Sequence, residues 1–150
     1  MADLGIGIVG AAGRMGKVLI EAVSQTADVS LGAAIVSPNS SLVGVDIGEL
    51  AGFGKLGMKT STSLQQVADN FDVLIDFTNP HLTLQNLAEC AQLGKMLVIG
   101  TTGLDEAQKQ VLRDYASAMP VVYAPNMSVG INLLLDILHR VASVLQDGYD

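Results

Sequence analysis

Five short apolar runs, at residues 4–9, 29–36, 71–77, 96–99 and 120–123, punctuate the chain, and longer segments with apolar residues at helical spacing lie between them. The runs lack the polar alternation of a half-exposed strand, so they read as strands buried on both faces. Their alternation with helices marks successive βα units around a parallel sheet. The fold class expected is α/β, a doubly wound, mostly parallel sheet with helices on both faces. The helix Arg14–Gln25 places Met15, Val18, Leu19 and Ala22 on one face. Another helix starts with Asn79 as N-cap and Pro80 in the first helical position, where a missing N–H costs nothing. It is expected to bury Leu84, Leu87, Ala88 and Ala91 and to stop at Gly94 in the left-handed conformation. Thr102 or Asp105 caps a further helix to about residue 118, and Pro120 forbids its continuation.

Residues 37–57 break the pattern with five Gly, one Pro and four Ser or Asn, and read as a long irregular connection holding one short turn around residues 49–51. The last helix runs from about residue 129 to 147. Its polar residues Asn132, Asp136, His139, Arg140, Ser143, Gln146 and Asp147 recur every three or four positions and form one solvated stripe. The remaining circumference, including Ile131, Leu134, Leu138, Val141 and Leu145, is more apolar surface than one sheet face covers, so something besides this domain is expected to pack there.

Composition narrows the picture. At 49% hydrophobic and 15% charged, 150 residues suit one globular domain with a substantial core. A net charge of −7, with eight Lys and Arg scattered singly, argues against nucleic-acid binding. The single cysteine, Cys90, lies in an apolar helical pattern; it excludes an internal disulfide and reads as core packing in a reducing compartment. The N-terminus lacks a basic flank and no apolar stretch reaches the ~18 residues that span a bilayer, so no membrane is expected as a partner and the expected location is cytoplasmic.

The chemistry sits at strand ends. Gly10, Gly13 and Gly16 stand as Gly-Ala-Ala-Gly-Arg-Met-Gly directly after the first strand and directly before the first helix. In a Rossmann-type fold the first glycine allows the tight turn, the next lets backbone N–H groups approach a pyrophosphate, and the third permits close packing of helix on strand. The helix N-terminus then faces the anion with unpaired donors. The spacing departs from the usual Gly-x-Gly-x-x-Gly, and a merely structural glycine turn is the alternative. The same logic expects an acid about twenty positions on, at the end of the second strand, to bond the ribose hydroxyls. Val36 occupies that place, followed by Ser37, Pro38, Asn39 and Ser40. Without a carboxylate there, a 2′-phosphate meets no repulsion, and Arg14 offers a positive charge unless it is simply a solvated surface residue.

Two further loops follow strands: Gly100-Thr101-Thr102-Gly103 and Ala124-Pro125-Asn126-Met127. Each is also explicable as a turn and helix cap, the second with Ser128 as the cap. Phe77-Thr78-Asn79-Pro80 ends a strand as well, where the capping role of Asn79 suffices. His81 and His139 have no partner at metal or triad spacing, and no Gly-x-Ser-x-Gly elbow follows a strand.

Taken in order, these segments resemble the dihydrodipicolinate reductase family of diaminopimelate and lysine biosynthesis, from residue 5 to the end of the chain. The likeness rests on Val9 through Gly16, on Ser40-Ser41-Leu42-Val43-Gly44 with Gly48-Glu49-Leu50, and on Asp72 to Pro80. Val98-Ile99-Gly100-Thr101-Thr102-Gly103 and Ala124 through Leu133 complete it. The resemblance implies an oxidoreductase whose first domain binds NADPH or NADH. The residues that match the family's cofactor contacts are Gly10, Ala11, Ala12, Gly13, Arg14 and Met15 on the first loop and Val36 and Ser37 after the second strand. Gly100, Thr101 and Thr102 follow on the next loop, and Ala124, Pro125, Asn126 and Met127 on the last. Members that use NADH well often carry an acid and then a basic residue where this chain has Val36 and Ser37, which leaves the cofactor preference open.

The resemblance also divides the chain into a dinucleotide-binding domain, 1–130, and a helix, 131–150, leading through Tyr149 and Asp150 toward a second domain. In the family that domain carries a paired-His segment, a Lys and a Ser-Gly-Thr loop, which bind the dicarboxylate substrate and assist proton transfer; this chain contains no catalytic or metal-binding residue of that kind. The family forms homo-oligomers largely through that domain. Two other readings stand beside this one: a self-standing nucleotide-binding or sensing module without catalysis, and another two-domain nicotinamide reductase on the same fold.

Overall fold

The apolar runs become the strands of one sheet in the computed structural model, which describes residues 3–52 and 54–145. The strands are β1 (Leu4–Val9), β2 (Val29–Ile35), β3 (Val73–Asp76), β4 (Met96–Ile99) and β5 (Val121–Tyr123). The helices are α1 (Arg14–Gln25), α2 (Ile47–Ala51), α3 (Pro80–Leu93), α4 (Glu106–Ala116) and α5 (Val129–Val144), with a 3-10 turn at Gln65–Asn70. The order across the sheet is β2-β1-β3-β4-β5 and every pairing is parallel. Outside β2, Ser61 forms a single parallel bridge with Ile35: its N–H donates to Ala34 O at 2.9 Å and its carbonyl accepts from Val36 N at 2.9 Å. The arrangement is a Rossmann sheet whose strand beyond β2 has shrunk to one residue pair. Its direction of winding reverses between β1 and β3, and the crevice beyond their carboxyl ends is where such sheets bind ligands.

Each face of the sheet has its own core. Ile6, Ile8, Ala34 and Val36 pack with Ile20 and Val23 of α1 and Ile47 and Leu50 of α2. Leu74, Leu97 and Ile99 pack on the other face with Leu87 and Cys90 of α3, Leu112 of α4 and Phe71. Burial, with Glu89 and Asp76 nearby, pushes the Cys90 thiol up to about 12, so it is an inert part of that core.

Local signals set the helix ends where expected. Asn79 caps α3 by accepting from Leu82 N at 3.1 Å, and Gly94 closes it at φ 66°. Of the two candidates for α4, Asp105 is the cap, in a reciprocal box with Gln108. The turn expected around residues 49–51 is the short helix α2, begun at Ile47 by Asp46.

The helix faces differ from expectation. In α1 the buried residues are Gly16, Ile20 and Val23, whereas Met15, Val18 and Ala22 are exposed and Leu19 half-buried. The close seat of Gly16 on the preceding turn fixes the rotation of the helix, and the inward positions are counted from there. In α3 the buried set is Thr83, Asn86, Leu87 and Cys90; Leu84, Ala88 and Ala91 are only half-buried. Two polar residues sit inward there because a buried carboxylate of β3 lies beneath them. Val122 of β5 is 57% exposed, so that edge strand is not buried on both faces.

The last helix covers nothing among the described residues. None of its residues is buried, and Leu133, Leu134, Leu135 and Leu138 are each about half exposed. Asn132, Asp136, His139, Arg140 and Ser143 lie on it, while Gln146 and Asp147 of the expected stripe, like Tyr149 and Asp150, fall outside the described residues. On the α1 side of the sheet Ile75, Met96 and Val98 are only half-buried as well. The chain is therefore expected to bind a hydrophobic dye or self-associate at high concentration, and deletion from Ser128 onward is expected to reduce both. A strictly monomeric elution profile without dye binding contradicts this.

The irregular segment after β2 is tied together by one side chain. The Asp46 carboxylate accepts from the N–H groups of Gly48, Glu49, Leu56 and Gly57 at 2.8–3.3 Å. These donors, that of Leu56 foremost, hold its pKa below the ordinary value of 3.8. A depressed folded-state pKa contributes stability above the unfolded value, and that contribution is lost as pH falls through the lower folded value. Asp46→Asn is thus expected to lower the Tm at neutral pH, with the difference from the unsubstituted chain closing progressively below about pH 4. Paired melting curves from pH 7 down to pH 2.5 check it; a constant difference contradicts the assignment.

Candidate functional site

The turn after β1 sits at the head of the crevice. Gly10 has φ +71°, a conformation that disfavours any side chain, and lets the chain reverse directly from strand to helix. Ala11 follows, fully buried, with its N–H on Ile35 O at 3.0 Å, which ties the turn to β2. At Gly16 a Cβ would collide with Gly10 O and lie 2.6 Å from Ala11 Cα, so α1 approaches the turn as closely as backbone allows. The third glycine thus has the packing role its spacing predicts.

The helix start is left open. Asp46, Asn79, Asp105 and Ser128 cap α2, α3, α4 and α5 with their side chains, but the N-cap of α1 is Gly13, which has none. Among the described helices α1 alone presents its first-turn N–H groups uncapped, with the positive end of the helix dipole behind them. Such a terminus suits an anion, and a phosphate group fits it without any Cβ in the way.

Two clefts open on either side of this turn. One, of about 500 Å³, is lined by Val9, Gly10, Gly13, Arg14, Met15 and Phe77, with Val18 at its edge. The other, of about 530 Å³, lies between the ends of β1 and β2 and the flank of α3, and its wall includes Gly10, Val36, Ser37, Thr62, Thr78 and Gln85. Both fall in the range of small-molecule sites. The structure thus brings Gly10, Gly13, Arg14 and Met15 together around one cleft and Gly10, Val36 and Ser37 around the other. Ala12 is half-buried in the turn between. Val36 is 3% exposed and belongs to the core, so Ser37 and Pro38 offer the side chains to the second cleft at that point. Arg14 is exposed and, among the described residues, makes no ion pair.

The loops after β4 and β5 border neither cleft. Gly100 is buried and its N–H donates to Asp76 O at the end of β3, at 2.8 Å; Thr101 is buried and Thr102 exposed. Ala124 is half-buried, while Pro125, Asn126 and Met127 are exposed, and Asn126 accepts from Ser128 N at 2.8 Å as α5 begins.

Between the loops lies a polar cluster that sequence reasoning missed. Asp76, fully buried at the end of β3, accepts through Oδ1 from Thr78 N at 2.8 Å, Thr78 Oγ1 at 2.6 Å and Thr101 Oγ1 at 3.3 Å. Its Oδ2 accepts from Asn86 Nδ2 at 2.9 Å. A buried carboxylate satisfied by neutral donors alone is costly to assemble, which marks the strand end as more than a turn. The available signal was an Asp closing the apolar run Val73–Asp76 directly before Phe77 and Thr78.

With this geometry in hand, comparison with known proteins is decisive. The family model described as dihydrodipicolinate reductase, N-terminus, matches residues 4–127. The chain belongs to that family. It is 59% identical over 145 residues to a 4-hydroxy-tetrahydrodipicolinate reductase of Hahella chejuensis, covering 97% of this chain and 54% of the relative. A reductase of the same name from Chromohalobacter salexigens is 56% identical over 146 residues, with the same coverage. The chain therefore spans about half the length of the curated relatives it matches. Among solved structures, a dipicolinate-bound dihydrodipicolinate reductase from Paenisporosarcina sp. TG-14 superimposes with a TM-score of 0.71 at 22% identity, over 90% of this chain and 52% of that one. GenD2 of gentamicin A biosynthesis, in complex with NAD, gives 0.60 at 18% identity over 84% and 35%. At those identities the two structures speak for the fold, and they agree with the Rossmann sheet described above.

The glycine turn yields a direct test. Gly16→Ala must push α1 away from Gly10 and Ala11, and is expected to destabilise the fold by about 1–3 kcal/mol, read by denaturant unfolding. An alanine variant as stable as the original chain contradicts the close-packing account.

Proposed function

We propose that this chain holds a reduced nicotinamide dinucleotide, NADPH or NADH, across the carboxyl edge of its sheet, as the cofactor-binding part of a reductase. The observation that carries the reading is the uncapped start of α1 beneath the Gly10 turn, placed between two clefts at the point where the sheet reverses. The N–H groups of the turn and of the first turn of α1 hold the pyrophosphate. The adenosine half lies in the cleft beside Ser37, and the nicotinamide half lies toward Gly100, Thr102 and the segment Ala124, Pro125, Asn126 and Met127. When bound, the reduced nicotinamide supplies hydride.

Family membership supports a reductase acting on the dihydrodipicolinate precursor, as its relatives' names state of them, a step we assign to diaminopimelate and lysine biosynthesis. The dicarboxylate site and the proton-transfer groups belong to a second domain, which residues 131–150 lead toward and through which the whole protein forms homo-oligomers. The uncovered apolar surface of α5 favours this division over a self-standing module.

Cofactor preference follows from the end of β2. With Val36 in the core, the end of β2 itself offers no carboxylate to bond the ribose or to repel a 2′-phosphate, and the one carboxylate among the cleft's lining residues is that of Glu89 on α3. Ser37 and Asn39 remain to donate hydrogen bonds, and Arg14, exposed at the start of α1 on the wall of the other cleft, supplies charge by reaching across the Gly10 turn. The chain is expected to bind NADPH at least as tightly as NADH without turning over dihydrodipicolinate. Arg14→Ala is expected to weaken NADPH about tenfold to a hundredfold, corresponding to ~1.5–3 kcal/mol for a charge-assisted hydrogen bond, with little change for NADH. Fluorescence titrations at fixed salt measure it. Equal loss for both cofactors assigns Arg14 to the pyrophosphate instead, and robust substrate-dependent NADPH oxidation by this chain contradicts the division between domains.

A further inference from the structure

Thr101 is one of the residues the family resemblance gives to the cofactor, yet its side chain has nothing left to offer one. It is 2% exposed. A threonine hydroxyl has one proton and two lone pairs. Here the proton goes to Asp76 Oδ1 at 3.3 Å, and the oxygen accepts from Thr83 Oγ1 at 2.8 Å and shares the Thr78 N–H, at 3.1 Å, with Asp76 Oδ1, which lies nearer to it at 2.8 Å. All three positions are taken by the protein. The partners come from two different pieces of chain: Asp76 and Thr78 from the end of β3, and the fully buried Thr83 from the first turn of α3. Asn86, one turn further along α3, holds the other oxygen of Asp76 at 2.9 Å. The backbone of the same loop is fixed in parallel, since Gly100 N donates to Asp76 O at 2.8 Å.

We propose that Thr101 is a positioning residue, and that the chain of hydrogen bonds Thr83–Thr101–Asp76 locks residues 100–103 to the end of β3 so that Gly100 and Thr102, not Thr101, meet the cofactor. The inference rests on the dinucleotide reading given above. It assigns a purpose to a cluster that a purely structural strand end does not need: apolar residues would fill the space beneath α3 without a desolvated carboxylate. What the cluster does, and an apolar plug does not, is fix the directions of two loops relative to each other through bonds of defined length. Those loops end β3 and β4, on either side of the line along which the dinucleotide passes from the Gly10 turn toward β5.

The position of the loop makes the effect selective. The cleft beside Ser37 is lined from the ends of β1 and β2 and by Thr78, Asn86 and the flank of α3, whereas residues 100–103 follow β4, on the far side of β3, and are not among its lining residues. Loosening the β4 loop therefore affects the nicotinamide half of a ligand and spares the adenosine half. Thr78 keeps its bonds to Asp76 when Thr101 is changed, so the wall of the adenosine cleft stays in place.

The experiment is a set of fluorescence and calorimetric titrations of the full chain with NADPH and with 2′,5′-ADP, on the original sequence and on Thr101→Val, Thr101→Ser, Thr83→Val and the double valine variant. Thr101→Val keeps the shape and removes the hydroxyl; it is expected to weaken NADPH about tenfold while 2′,5′-ADP stays within about twofold. Thr101→Ser restores the hydroxyl and is expected to bind NADPH within about threefold of the original. Thr83→Val, two bonds away from any ligand, is expected to weaken NADPH several-fold, and the double variant to lose no more than Thr101→Val alone. An unchanged NADPH affinity in Thr101→Val, or a serine variant that fails to restore it, overturns the proposal. Equal losses for NADPH and 2′,5′-ADP do so too, as general loosening. A Thr83→Val variant that binds normally while Thr101→Val does not shows direct contact between Thr101 and the cofactor, and also overturns it. Should the valine variant at 101 fail to fold, Thr101→Ser and Thr83→Val carry the same test. Failure of the unsubstituted chain to bind either ligand is a different result: it removes the dinucleotide reading itself, and this inference with it.

Discussion

Everything at the head of the sheet depends on the approach of α1 to the turn beneath it. Because Gly16 has no side chain, the helix settles against Gly10 O and Ala11 Cα, and this contact fixes both its height and its rotation. Its height brings the uncapped N–H groups to the mouth of the crevice. Its rotation sends Ile20 and Val23 into the core and leaves Met15 and Val18 beside the open cleft. A methyl group at that one position would shift the helix start, and with it the open N–H groups, by a large fraction of an ångström, which is as much as a preorganised hydrogen-bond donor tolerates.

The second constraint is the buried carboxylate at the end of β3. Parallel strands stop one after another along the crevice; the backbone ladder fixes the first residue of each following loop, as Gly100 N on Asp76 O does, and something more has to fix the residues after it. Asp76 does so by gathering donors from its own turn, from the loop after β4 and from α3. The two devices divide the work. Gly16 places the uncapped start of α1 by shape, and Asp76 aligns the loops beyond it by hydrogen bonds.

Much of this was legible in the residues. Strand runs bounded by turn signals, the Asn79-Pro80 start of α3 and the Gly94 stop are local chemistry, and they appear where the chain predicts them within a residue or two. The glycine turn was readable for the same reason, since Gly-Ala-Ala-Gly-Arg-Met-Gly lies between a strand and a helix whose ends are set locally. The faces of α1 and α3 were not, because apolar count alone favours Met15, Val18 and Leu84, whereas the actual phase is set by contacts distant in sequence: a glycine against a turn, and Thr83 and Asn86 over Asp76. The role of Thr101 was hidden likewise. From sequence it is one of a pair of threonines in a loop; only the fold shows that its hydroxyl is saturated while that of Thr102 stands in the open. The wide apolar surface of α5 was expected, but not that the described residues would leave the whole helix uncovered.

The central claim is that a dinucleotide lies along the carboxyl edge of this sheet with its pyrophosphate at the start of α1. Amide chemical shifts of the isotope-labelled chain, followed by NMR as NADPH is added, test it most directly. The account predicts that the largest changes fall on Gly10, Ala12, Gly13, Arg14 and Met15, with Ser37 on one side and Gly100 and Thr102 on the other, while Leu4 and Val29 at the opposite edge stay still. Shifts concentrated at that opposite edge, or on α5 alone, contradict it.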